Sequence, residues 1–287
     1  MHQEAANETL GWKAQMDLRF SCAAGRTGMS CEHFGPLTVQ KPFYPESGPE
    51  SGPESGTCHV YLLHPPGGIV GGDGLRVRIS TEAGASALVT TPAAGKFYRS
   101  AGPLATQVQT FAVAPGSTLE WLPQETIVYP GARALSHTRV ELAPGAQFLG
   151  WEVVCFGLPV SKAPYDRGHF EQRFDIYREG EPLLLERGLY AGGSALMSEL
   201  WGLGGRDVMG ALFATGEDAA LPRLVREQVQ TNSDDEVFSV TQVDGIIVCR
   251  AFGSDAWKVK ELLAQAWAVL RERILGRPAC PPRVWNT

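Results

Sequence analysis

A mostly β chain is predicted, with short strands stacked into sheets in a β-solenoid-like way and two α-helices towards the C-terminus. Three observations predict it. Apolar and polar residues alternate with period two over most of the chain. Three segments, GASALVTTP at Gly84, PGSTLEWLP at Pro115 and PGAQFLGWE at Pro144, repeat one pattern of a Gly turn followed by an apolar strand. Their spacing of about thirty residues fits stacked strand pairs better than a barrel. Helical periodicity appears only near the end.

Taken in order, Trp12, Ala14, Met16, Leu18 and Phe20 alternate with Lys13, Gln15, Asp17 and Arg19, which predicts a half-buried first strand with Trp12 on its packed face. Gly25-Arg26-Thr27-Gly28 reads as the turn after it, and Leu37 to Gln40 as a short strand stopped by Pro42 and Pro45. Pro45 to Gly56 repeats Pro-Glu-Ser-Gly, has no apolar residue to bury, and is expected to be a mobile surface loop. Pro65-Pro66-Gly67-Gly68 and Gly71-Gly72-Asp73-Gly74 then bracket Ile69 and Val70, so the chain turns twice in a short span. Leu75 to Ile79 and Ala85 to Thr91 read as a strand pair joined at Glu82-Ala83-Gly84, followed by a basic and aromatic loop, Gly95 to Ser100.

Thr106 to Ala114 and Thr138 to Leu142 supply further short strands. A helix from Pro222 through Val229 is expected, since proline suits a first helical position. Val237 to Val243 and Gly245 to Ala251 form a hairpin turning at Asp244-Gly245. The last helix is expected to be capped by Ser254, to bury Val259, Leu262, Leu263, Ala266, Leu270 and Ile274, and to end at Gly276 and Pro278. No linker divides the chain, so residues 1–287 read as one domain with residues 45–56 as an inserted loop.

With 44% hydrophobic residues the chain can build a substantial core. A net charge of -6 without any basic block argues against nucleic acid and favours a cationic ligand. No window approaches a membrane span, and Met1 to Leu10 lacks the apolar core of a signal peptide, so a cytoplasmic protein is expected. The six cysteines form no C-x-x-C pair and read as reduced thiols.

Enzyme motifs fail on spacing. Gly95-Lys96 resembles the end of a P-loop, but Thr90 stands where the first glycine belongs and Phe97 where Ser or Thr would hold magnesium. The glycines of 67–74 precede a strand, so no helix N-terminus awaits a pyrophosphate. Gly192 to Leu196 lacks the second glycine of a nucleophile elbow. The histidines show no helical ligand pair, and the local cluster Cys58, His59 and His64 is weakened because neighbours in a strand point to opposite faces.

There remain acids in otherwise apolar strands: Asp73, Glu120, Glu125, Glu152 and Glu186. Each has a plain structural account, the wet face of its strand or an arginine partner, and alternation alone would expose Glu120 beside Trp121. Glu120 and Glu125 could also be the paired acids of a solenoid enzyme acting on polysaccharide.

HPPGGIVGGD at His64 to Asp73 and TTPAAGKFYRS at Thr90 to Ser100 resemble the urease accessory protein UreD (UreH) family. So, in the family's order, do GRTG at Gly25, GPLTVQKPFYPE at Gly35, LEWLPQE at Leu119, GWE at Gly150, PLLLERG at Pro182 and the terminal PPRVWNT. The resemblance implies a non-catalytic scaffold that binds the urease structural subunits together with UreF and the GTPase UreG and assists nickel insertion. It also implies a polar route for Ni2+ through the protein, with Asp73, Glu152 and Glu186 matching acidic positions implicated in it. No permanent cofactor is expected, and Ni2+ would be held only transiently. Carboxylates and water suit passage, because imidazole and thiolate would trap a metal so high in the Irving–Williams order. GLPVSKAP at Gly157 departs from the family's G-R-P-A segment, and the PESG repeats are a second departure. A β-rich interaction module without a metal role would share everything except the interior acids.

Overall fold

The computed structural model describes residues 11–46 and 56–286. The chain opens with β1 (Lys13–Ala23), β2 (Arg26–Phe34) and β3 (Thr38–Val39). It then winds through β4 (Cys58–Leu63), β5 (Gly74–Thr81), β6 (Ser86–Thr90), β7 (Gly95–Phe97), β8 (Ala105–Val113) and β9 (Thr118–Trp121). Next follow β10 (Thr126–Val128), β11 (Arg133–Leu142), β12 (Gln147–Phe156), β13 (His169–Arg178) and β14 (Glu181–Ala191). The last part holds α1 (Ala195–Ser198), β15 (Val208–Thr215), α2 (Leu221–Gln228), β16 (Val237–Val243), β17 (Ile246–Gly253) and α3 (Ala256–Leu275).

Among the described residues the strands form two sheets. One has the order β14-β13-β11-β8-β5-β1-β2, and the other β16-β17-β15-β12-β9-β6-β4-β3, with β7 and β10 paired beside β12. Successive strands alternate between the sheets, so β5, β8 and β11 stack in parallel on one side while β6, β9 and β12 stack in parallel on the other. This is the solenoid-like stacking that the recurrence predicts. The three repeats lie in register, with Ala87, Leu119 and Phe148 in one cross-strand row. Gly84, Gly116 and Gly145 all take positive φ at the corners, where a Cβ would be strained.

The expected strand pair is corrected by this winding. β5 and β6 belong to opposite sheets, because Glu82 to Ala85 forms a corner and not a hairpin. The first turn is also shifted: Ala24 and Gly25, both at positive φ, make a two-residue hairpin loop, and Arg26 already belongs to β2. Trp12 is 65% exposed, since it precedes the first strand and lies at the sheet margin. Ala14, Met16, Leu18 and Phe20 are buried as alternation requires.

Two apolar layers result. One lies between the sheets, and the other between the outer face of the ten-stranded sheet and the helices. In the second, Val259, Leu262, Leu263 and Leu270 of α3 are fully buried, each contributing about 1.5–3 kcal/mol. Asp255, not Ser254, caps α3 by accepting from the Trp257 N–H at 2.8 Å. Ser254 bonds Asp235 instead. Gly276 ends the helix at positive φ as expected. The hairpin turns at Asp244-Gly245, both at positive φ. Three helices are found among the described residues; α1, a single turn, carries no periodic signal. Of the PESG tract, residues 47–55 lie outside the described residues.

Candidate functional site

The space between the sheets is apolar at most positions but carries a polar band. β8, β11 and β13 place Gln107, Ser136 and Gln172 in one row, and Gln109 and Thr138 in the next. These positions share the parity of the buried Phe111, Val140 and Phe174, so their side chains point inward. A cavity of about 320 Å³ lies beside them, bordered at another part of its wall by His64 and Lys96.

Glu152 reaches into this band from the facing sheet. Along β12, Leu149, Trp151 and Val153 point to the helices while Phe148, Glu152 and Val154 point between the sheets. Its carboxylate contacts the Thr138 hydroxyl at 2.5 Å and accepts from the Gln172 amide at 2.5 Å. Thr138 also lies 3.0 Å from Gln109 Oε1, yet has one proton to give. A protonated Glu152 satisfies all three contacts, donating to Thr138 while Thr138 donates to Gln109. Burial pushes the Glu152 carboxyl up to about 7, against those hydrogen bonds, and the Glu186 charge adds a smaller upward push.

Glu186 enters the same space from β14. Two cross-strand rows face each other there: Glu152, Ala211 and Arg250 on one sheet, and Thr138, Phe174 and Glu186 on the other. They meet at one end through Thr138 and Glu152, and at the other through Arg250 and Glu186, whose Nη2 and Oε2 are 2.6 Å apart. Two strand spacings, about 10 Å of backbone, separate the two ends. Glu186 is 30% exposed and Arg250 37%, so that end reaches solvent, while Glu152 at the other end is partly buried beside the cavity. The band therefore runs from a neutral-donor environment beside the cavity to a solvent-facing ion pair.

Asp73 is not brought to this band. Its carboxylate accepts the Trp12 N–H at 2.7 Å and the Val70 N–H at 3.0 Å, tying the glycine loop to the start of β1. It acts on the cavity only indirectly: burial lowers the pKa of His64, and the charge of Asp73 partly opposes that. The loop's glycines have two separate duties. Gly67 and Gly72 take positive φ, whereas a Cβ at Gly68 would stand 2.2 Å from the Tyr98 ring, so Gly68 serves close packing against the 95–100 loop.

Glu120 is fully buried, contrary to the wet face that alternation assigns it, because α3 covers that side of the sheet. Arg271 Nε lies 3.0 Å from both its oxygens, and the Trp267 indole N–H donates at 2.7 Å. Arg271 also reaches Glu46 at 2.6 Å. Glu125 stands apart, 3.9 Å from Lys260. With Glu120 locked away from solvent, no shared cleft holds these two acids for glycoside chemistry.

One meeting has no signal in the local sequence. His59, Glu46 and Cys280 offer ligand atoms within 4.8 Å of one another, so the described residues do contain a histidine–cysteine cluster. Cys58 and His59 do point to opposite faces: Cys58 lies in the core between the sheets, and His59 faces Glu46. Thr138, Gln172 and Arg250 are likewise residues that motif reasoning passes over, although the inward parity of Thr138 beside Val140 is visible in the chain.

The UreD urease accessory protein family model matches residues 13–286. A urease accessory protein UreD of Alcanivorax borkumensis is 40% identical over 291 residues, covering 100% of this chain and 96% of the relative. One from Pseudomonas putida strain GB-1 is 44% identical over 280 residues, with 96% and 95% covered. One from Citrobacter koseri is 40% identical over 282 residues, with 97% and 93% covered. With the solenoid-like sheets and near-complete coverage agreeing, the chain belongs to the UreD urease accessory protein family.

Proposed function

We propose that this chain is a non-catalytic maturation factor for urease. It binds the urease apoprotein together with UreF and UreG and passes Ni2+ along the band between Glu152 and Glu186. The observation that carries the reading is Glu152, a partly buried, strongly desolvated carboxyl beside a cavity, with neutral hydrogen-bond partners and no cationic partner among the described residues. Burying a charge without a counter-ion is costly, and a passing divalent cation would supply one transiently. Oxygen ligands bind nickel loosely enough to release it. Asp73, by contrast, would serve by holding the loop at the His64 end.

An apolar surface supports a protein partner near the open end. Leu185 and Leu189 on the outer face of β14 are more than half exposed, and Leu200 and Trp201 after α1 are 91% and 71% exposed. Among the described residues no helix is long and apolar enough to cross a membrane.

Co-expression with the urease subunits and the two accessory partners, followed by pull-down and nickel analysis, tests the reading. Glu152→Ala and Glu186→Ala chains should assemble with their partners but yield urease with less nickel. Loss of assembly would instead make both residues structural, and full nickel content would end the proposed route.

A further inference from the structure

The cluster of Glu46, His59 and Cys280 lies outside the interior band, on the helix side of the ten-stranded sheet. Three distant parts of the chain build it: the first of the PESG repeats, strand β4, and the segment after α3. His59 is fully buried and its Nε2 lies 2.6 Å from Glu46 Oε1. Its other ring nitrogen, Nδ1, is buried and finds no hydrogen-bond partner among the described residues. That nitrogen faces away from Glu46, so the site rests on Nε2 and on the meeting of the three donor atoms within 4.8 Å.

We propose that Glu46, His59 and Cys280 bind a borderline divalent cation of the Ni2+, Zn2+ or Co2+ class at a site separate from the interior route. Carboxylate, imidazole and thiolate together are a donor set for such ions and not for Mg2+ or Ca2+. Three protein ligands leave a further position for water, and half-buried Cys280 gives the ion an entry. On binding, the Cys280 thiol loses its proton to solvent, and the metal displaces the proton now shared between His59 and Glu46. Glu46 must move slightly, because two ligands of one metal stand farther apart than a hydrogen-bonded pair.

Arg271 is the obvious objection, since it contacts Glu46 at 2.6 Å. It is answered by Glu120, which engages Arg271 with both oxygens, so that Glu46 is not its sole counter-ion. Arg277 bonds the hydroxyls of Thr57 and Ser86, and so is one hydroxyl removed from Glu46. Arg271 and His59 share Glu46 Oε1, while among the described residues Oε2 accepts only from the Thr57 hydroxyl at 3.1 Å, so a metal would keep the guanidinium on one oxygen by displacing that weaker contact from the other.

The purified full-length chain titrated with Co2+ should take up one ion and show a thiolate-to-cobalt charge-transfer band in the near ultraviolet. Cys280→Ser should lose the band while circular dichroism is unchanged, and Glu46→Gln should weaken affinity by at least about tenfold. Glu152→Ala should keep the band, which separates this site from the interior route. In the unmutated chain, Zn2+ should slow alkylation of Cys280 but not of the equally half-buried Cys22 and Cys31, read by mass spectrometry. A wild-type chain without the band, a band that survives Cys280→Ser or vanishes in Glu152→Ala, or equal alkylation rates with and without Zn2+ would each overturn the proposal.

Discussion

Glu120 and Glu152 lie on neighbouring parallel strands of one sheet, Glu120 fully buried and Glu152 only partly so, and they face opposite ways into different surroundings. Glu120 points to the helix layer, where Arg271 and Trp267 satisfy it. Glu152 points between the sheets, where Thr138 and Gln172 offer only neutral contacts and the guanidinium of its own cross-strand row, Arg250, is taken by Glu186. A buried acid that is fully matched belongs to the architecture. One left without a cation, beside a cavity, retains the capacity to bind something. Desolvation pushes both carboxyls up; the partner tells them apart.

The comparison breaks first at Arg271. Arg271→Met leaves Glu120 and Glu46 without their guanidinium and should destabilise the protein by about 3–5 kcal/mol, read as a lower urea midpoint. The double change Glu120→Leu with Arg271→Met should recover part of that loss, since Glu120 is removed together with its partner and Glu46 keeps His59 and Thr57.

A smaller effect of opposite sign is expected at Glu152. Its carboxyl titrates near 7 in the folded protein against an ordinary 4.5. Between those pH values the native state holds a proton that the unfolded chain has lost. The contribution of this group therefore falls as pH rises from 4.5 to 7 and is level above that, a span of about 3 kcal/mol. Glu152→Gln keeps the contacts to Thr138 and Gln172 and should remove this slope, which denaturation at about pH 5 and about pH 8 would show as a variant gaining relative to wild type only at the higher pH.

Next in size is the cap of α3, whose loss in Asp255→Ala should cost about 1 kcal/mol by thermal melting. Smallest is Glu186→Gln. Its pair with Arg250 is partly exposed, so stability should change by at most about 1 kcal/mol. The same variant sharpens the contrast by removing the charge that pushes Glu152 up, so the Glu152 carboxyl, followed by NMR, should titrate at lower pH.

Much of the fold is legible in the order of the residues alone. Alternation locates β1, the Gly-turn repeats locate the stacked β6, β9 and β12, and Asp244-Gly245 locates the last hairpin. The acids are legible as anomalies: a glutamate between Trp151 and Val153 cannot be ignored. Their surroundings are not. Alternation says which residues share a face but not what covers it, so it gives Glu120 to water although Arg271 of α3, far along the chain, lies over it. Corner and hairpin turns read alike, which is why β5 and β6 look like partners.

Sequence by itself determined the fold class, the stacking repeat, the glycine end of α3 and the residue types that could carry a cation, because these follow from periodicity, backbone freedom and side-chain chemistry within a short span. Only the tertiary structure decided which acid found a guanidinium, which faced a cavity, and that His59 and Glu46 meet Cys280. Those outcomes depend on contacts between strands and helices far apart in the chain, and a carboxyl's charge state is set by whatever such contacts bring to it.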